Sequence, residues 1–142
     1  MILQFPATFI SKIALLPLMK LAGIVAKGLG EGAFFMSMEH YSNEIRKKLG
    51  FDAYPGTLNI KIDKRASFEG LNKIRIEGYT EKNKKFGGAA CYRARLKGIE
   101  GAIIVPDLTR HDKKIMEFIA PVCLRSELGL KDGDKISIEM LK

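Results

Sequence analysis

The chain has 142 residues and a formal net charge of +8, from 24 Lys+Arg against 16 Asp+Glu. With 46% apolar and 28% charged residues it has the composition of a soluble globular protein, long enough for one domain with a usable core, which excludes a disordered chain. Two cysteines without metal-ligand spacing exclude a disulfide framework beyond a single pair, while the basic balance favours phosphate-bearing partners without choosing among them.

Residues 1–18, MILQFPATFISKIALLPL, are apolar but broken by Gln4, Pro6, Lys12 and Pro17. They are too interrupted for a membrane span of about 20 residues, and they lack the basic start and small-residue cleavage site of a signal peptide. They read as a tail ahead of a single domain over 19–142, with Met19 as the working start. KLAGIVAKG then predicts a strand. In GLGEGAFFMSME, Gly28, Gly30 and Gly32 form a flexible hairpin tip before a second strand, AFFMSM. EHYSNEIRKKLGF predicts a helix, because Tyr41, Ile45 and Leu49 share a face, Glu44 pairs with Lys48, and Gly50 stops the run. YPGTLNIKID reads as a turn and a strand.

NKIRIEGYTEKNKKFGGAACYRARLKG holds two or three short strands joined by a lysine- and glycine-rich hairpin. IEGAIIVP is a strand with a continuous apolar core, expected to be buried on both faces. HDKKIMEFIA predicts a short helix with Ile115, Phe118 and Ile119 inward. In SELGLKDGDKISIEML, Gly129 caps a turn of helix, Asp132-Gly133 turns, and Lys135 to Met140 alternate as a last strand. Short strands, two brief helices and no regular βαβ alternation predict a mainly β fold, a closed antiparallel barrel with helices at its rim.

Three stretches carry residue types with chemistry. The glycines of GLGEGA let backbone N–H groups approach an anion, but the loop has neither the Lys-Ser/Thr of a P-loop nor a following helix, so a plain flexible turn stays open. In PGTLNIKID, Thr57 and Asn59 stand on one strand face roughly 7 Å apart at Cα, followed by Lys61 and Asp63, while Leu58, Ile60 and Ile62 line the other face. Two neutral oxygens suit a Mg²⁺ ion that arrives with a polyphosphate; they equally suit a solvated strand face after a turn. In VPDLTRHDKKIMEFIAPVCLR, Glu117 reads either as a solvated helix carboxylate or as a group facing a pocket. His40 and His111 read as surface residues, and Cys91 and Cys123 as small buried hydrophobes of a reducing cytoplasm.

Taken in order, GLGEGAFFMSM, LGFDAYPGTLNIKID and GAIIVPDLTRHDKKIMEFIAPVCLRSELGLKDGDKISIEM resemble the archaeal CTP-dependent riboflavin kinase family, from about Leu21 to Met140. PGTLN and IAPVCLR…LGLKDGD are the most specific parts; Lys64 to Arg95 match only in general character. The resemblance implies a compact six-stranded cradle-loop β-barrel, and transfer of the γ-phosphate of CTP to the 5′-hydroxyl of riboflavin, giving FMN and CDP. It places nucleotide contacts on Gly28, Leu29, Gly30, Glu31, Gly32 and Ala33 and on Val122, Cys123, Leu124 and Arg125. It places Mg²⁺ on Thr57 and Asn59, and the flavin on Thr109 and Glu117.

No general base is assigned; Glu117 is the candidate, with Asp63 and Glu31 also open, and Ile115 to Ile119 is a candidate wall for the flavin ring. Some members of the family carry an N-terminal helix-turn-helix domain. Only the short tail precedes the barrel here, so a regulatory role is not expected. The expectation is a cytoplasmic monomer acting on riboflavin and CTP, without nucleic-acid or membrane partners. The competing reading is a nucleic-acid-binding module, because RSELGLKDGDKISIEML also resembles the half-barrel of swapped-hairpin transcription factors.

Overall fold

A computed structural model describes residues 19–28, 36–62, 67–107 and 114–141. The strands are β1 (Met19–Ala26), β2 (Leu58–Ile62), β3 (Ile74–Ile76), β4 (Tyr79–Glu81), β5 (Lys84–Phe86), β6 (Ala89–Leu96), β7 (Ile99–Pro106), β8 (Ile115–Ile119) and β9 (Lys135–Met140); the helices are α1 (Glu39–Leu49) and α2 (Leu124–Leu128). Six strands close a ring in the order β6–β7–β8–β2–β1–β9 and back to β6, every neighbouring pair antiparallel. Strand β6 is shared. Its first half pairs with β3 (Ile74↔Cys91) and its second half with β9 (Ala94↔Met140). Closure is reinforced where Arg95 faces Glu139 across β6–β9, with Nη2 donating to Oε2 at 2.6 Å.

Alternation along the strands builds two apolar layers. Residues of one parity fill the ring: Val25, Leu58, Ile60, Ile62, Tyr92, Ala94, Leu96, Ile103, Met116, Phe118, Ile136, Ile138 and Met140. The other parity, through Cys91, Ala102, Ile104 and Ile119, packs outside the ring against Tyr41, Ile45 and Leu49 of α1. The expected helix face is therefore the buried one. Glu44 pairs with Lys48 at 3.2 Å, and Gly50 ends the helix in the left-handed region at φ 86°. Half-buried His40 is not a plain surface residue: it stacks on Tyr79 with ring centroids 4.3 Å apart and bonds the Glu77 carbonyl, fastening α1 to the β3–β4 connection.

Three expectations are corrected. The predicted strand AFFMSM fails where it is described, because Met36 and Ser37 are helical and Met38 is the N-cap of α1. HDKKIMEFIA is not a helix over its described part. Ile115–Ile119 is β8, because the ring and α1 cover opposite faces of it, so the apolar spacing that fitted a helix is a strand buried on both sides. The Asn72–Gly98 stretch holds four strands instead of two or three, with Lys82 and Asn83 both at positive φ in the β4–β5 turn.

Gly101 shows how tightly β7 and β8 approach. A Cβ built there would fall on the Ile119 carbonyl oxygen and stand 2.7 Å from the Phe118 ring. Gly101→Ala is expected to destabilise the fold by about 2 kcal/mol, seen as a lower urea midpoint with an unchanged slope.

Candidate functional site

The register of the ring draws a line of outward-facing residues across four strands. Ala26 of β1 faces Asn59 of β2, Asn59 faces Glu117 of β8, and Glu117 faces Ile104 of β7. Leu58 and Ile60 commit β2 to the ring interior, which turns Asn59 to the outer face; Met116 and Phe118 do the same for Glu117 on β8. That outer face is covered here. Asn59 is 8% and Glu117 7% exposed, and they are the buried polar or charged residues among those described. Buried polar groups are normally paired, and an orphan costs about 1–3 kcal/mol, so the partners of these two side chains decide what the site can hold.

Their surroundings differ. Thr57, just before β2, donates its hydroxyl proton to Glu117 Oε1 at 3.1 Å. That leaves the lone pairs of Thr57 Oγ1 available to an electrophile. Asn59 Oδ1 is buried without a hydrogen-bond partner among the described residues. Gly28, at the root of the glycine-rich loop, lies directly on the Asn59 carboxamide. Thr57, Asn59, Glu117 and Gly28 thus meet at one place, although they are as much as 89 positions apart in sequence (117 − 28).

Beside this row, a cavity of about 170 Å³ opens between the Tyr54–Leu58 turn and the Ala120–Arg125 segment. Phe118 and Leu58 form apolar wall, and Thr57, Cys123 and Arg125 bring polar atoms. The two segments are joined by Tyr54 N–H donating to the Ala120 carbonyl at 2.8 Å. Arg125 ties the cavity to the glycine loop root: its Nη2 donates to the Ala26 carbonyl at 3.1 Å and to Asp132 Oδ1 at 2.6 Å.

Cys123 is half-buried and polar in its contacts, which corrects the expectation of two buried hydrophobic cysteines. Ser126 donates from its hydroxyl to Cys123 Sγ at 3.4 Å. That bond, with further donors from the Ser126 backbone, Tyr54 and the Arg125 backbone, holds the thiol below its usual pKa. Burial pushes the Cys91 thiol up to about 12. Because thiolate is the reacting species, iodoacetamide at pH 8 is expected to label Cys123 and leave Cys91 untouched until the chain is denatured. Peptide mass mapping reads this directly, and native labelling of Cys91 would contradict it.

Of the predicted site residues, the structure brings Thr57, Asn59, Glu117, Gly28 and Val122–Arg125 to one side of the ring. Glu117 comes from a buried strand and not from a solvated helix. Within Ile115–Ile119, Phe118 lines the cavity whereas Ile119 packs beneath α1. Leu29, Gly30, Glu31, Gly32, Ala33, Asp63, Thr109 and His111 lie outside the described residues. Tyr54, Asp132 and the Ala26 carbonyl were missed by sequence reasoning. The Tyr-Pro-Gly turn was the signal for the first; nothing local announces a backbone carbonyl.

Fold and site together define a mainly β, six-strand ring with a cavity at one side and two buried polar side chains on the outer face of the adjoining strands. Comparison with known proteins sharpens the class. A sequence model of the family described as CTP-dep_RFKase, domain of unknown function DUF120, matches residues 25–140. The chain is 48% identical over 126 residues to a riboflavin kinase of Pyrobaculum calidifontis, covering 85% of this chain and 59% of that one. It is 46% identical over 125 residues to a riboflavin kinase of Pyrococcus abyssi (85% and 58%), and 43% identical over 127 residues to one of Archaeoglobus fulgidus (86% and 54%). The chain belongs to the archaeal CTP-dependent riboflavin kinase family. It spans somewhat over half the length of these curated relatives. Among the described residues, no helix is long and apolar enough to cross a membrane.

Proposed function

We propose that this chain transfers the γ-phosphate of CTP to the 5′-hydroxyl of riboflavin, giving FMN and CDP, as a cytoplasmic monomer. Family membership supplies the reaction class. The structural observation that carries the reading is the meeting of Thr57, Asn59 and Glu117 at the root of the glycine-rich loop.

The donor set fits magnesium. Asn59 offers a buried carboxamide oxygen with no partner among the described residues, and Thr57 a hydroxyl whose proton is already given to Glu117. Hard divalent cations take oxygen ligands of this kind, completing their shell with phosphate and water. Thr57 and Asn59 would therefore hold Mg²⁺, which when bound supplies charge neutralisation to the phosphates.

The chain's own residues account for the rest by positioning, which dominates phosphoryl transfer through a loose transition state. Backbone N–H groups of Gly28–Ala33 hold the phosphates, and Val122–Arg125 holds the cytidine end. Arg125, held by Asp132 and the Ala26 carbonyl, keeps the cytidine segment and the loop root in fixed relation. Glu117 fixes the Thr57 hydroxyl, and the family resemblance assigns Glu117 and Thr109 to the flavin. A strong general base is not required, because the acceptor hydroxyl loses its proton late.

The ring closes within one chain, which supports a monomer over a swapped half-barrel dimer. The test is incubation with riboflavin, Mg²⁺ and each of the four nucleoside triphosphates, followed by chromatography for FMN. FMN is expected with CTP and at most traces with the others. Equal yields with ATP would overturn the nucleotide assignment. Absence of FMN and of flavin fluorescence quenching, together with salt-sensitive DNA binding, would favour the nucleic-acid module.

A further inference from the structure

We infer that Gly28 is a positioning residue for Asn59, and that this contact is what demands a glycine at the root of the loop. The inference rests on the proposed metal-holding role of Asn59. Nothing in the backbone conformation calls for glycine here. The described glycines at positive φ are Gly50, Gly70, Gly98, Gly129 and Gly133, and Gly28 is not among them. Space does call for it. A Cβ built on Gly28 would fall on Asn59 Nδ2, and would stand 2.9 Å from Cγ and 3.4 Å from Oδ1.

All three of these nearest atoms belong to one carboxamide. A methyl at position 28 therefore leaves two outcomes: the loop root retreats, or the carboxamide turns. Retreat is opposed close by. Ala26 is held in register opposite Asn59, and its carbonyl is bonded by Arg125, which Asp132 anchors in turn. The side chain, with its rotatable terminal torsion, is the part that yields. The nitrogen edge of the amide lies nearest Gly28 and the oxygen farther from it. The bare Gly28 backbone thus accepts the nitrogen edge and leaves Oδ1 buried and unpaired among the described residues. Gly28 decides where that oxygen points.

The test uses the full chain with Mn²⁺ as the probe, in the presence of CDP, followed by the paramagnetic resonance signal of free Mn²⁺. Gly28→Ala is expected to weaken Mn²⁺ binding at least tenfold, a larger loss than that in metal-free CDP affinity measured by calorimetry. Thermal melting without metal provides a second reading. Gly28→Ala should lower Tm by roughly 5 °C in the wild-type background and leave it unchanged in an Asn59→Ala background, where the colliding group is gone.

Unchanged Mn²⁺ affinity, an equal Tm loss in both backgrounds, or a loss of metal-free CDP affinity matching the metal loss would each overturn the inference. The last outcome would assign the glycine to the nucleotide. If Gly28→Ala alone does not fold, recovery of folding in the double variant supports the contact and failure to recover overturns it. A wild-type chain that takes up no Mn²⁺ overturns the metal reading, and the inference with it. A metal-binding wild type with an indifferent Gly28→Ala overturns the inference alone.

Discussion

Asn59→Ala is expected to lower riboflavin phosphorylation about 10²-fold, the size of effect seen when one oriented polar group is removed from a charged transition state, while the melting temperature stays at or above that of the wild type. The two halves of this expectation come from one atom. Asn59 Oδ1 is buried and lacks a partner among the described residues, and such an acceptor destabilises a folded chain by about 1–3 kcal/mol. Truncation removes that penalty and offsets the packing lost with the carboxamide. A residue whose removal spares the fold but stops the chemistry is being kept for its oxygen. Initial rates at saturating Mg²⁺ and a melting curve of the same sample are the measurements. A rate within threefold of wild type would remove Asn59 from the site.

The second large effect concerns Glu117. Glu117→Ala is expected to cost about 10²-fold in kcat, whereas Glu117→Gln should retain activity to within about tenfold. Alanine leaves the Thr57 hydroxyl without its acceptor, the contact now made at 3.1 Å, and opens space at a residue that is 7% exposed. Glutamine keeps an amide oxygen in place for Thr57 and keeps the volume. It cannot accept a proton from the substrate hydroxyl, so the pair separates orientation from base catalysis. If glutamine is as damaging as alanine, the negative charge of Glu117 is essential and a proton-accepting role becomes the better account.

The ring was legible in the sequence where alternation is strict. Lys135–Met140 appears with the predicted bounds, and Leu58, Ile60 and Ile62 face inward as their spacing requires. Helix α1 was legible from Tyr41, Ile45 and Leu49 with Gly50 as its stop. Strand β8 was not. Ile115, Phe118 and Ile119 recur at helical spacing only because Phe118 serves the ring and Ile119 the layer under α1. A short run buried on both faces carries no period that separates strand from helix.

For the site, PGTLN gave Thr57 and Asn59 their common face. The sequence held no sign that this face is covered, since the cover comes from Gly28 and from a strand some sixty positions away. Likewise, Arg125 was visible as a cation, but its anchoring on Ala26 and Asp132 exists only after the chain has folded.

The line from Ala26 through Asn59 and Glu117 to Ile104 has a mutational consequence. Every member sits on a strand whose opposite side is packed in the ring, so pleat and chemistry share one ruler with divisions two residues wide. Deleting Leu58 would swing the amide toward the ring interior and Ile60 into its seat. The exposed Lys61, by contrast, can change with little effect on the packed layer. Such a strand should accept substitutions at Lys61 but not a change in length.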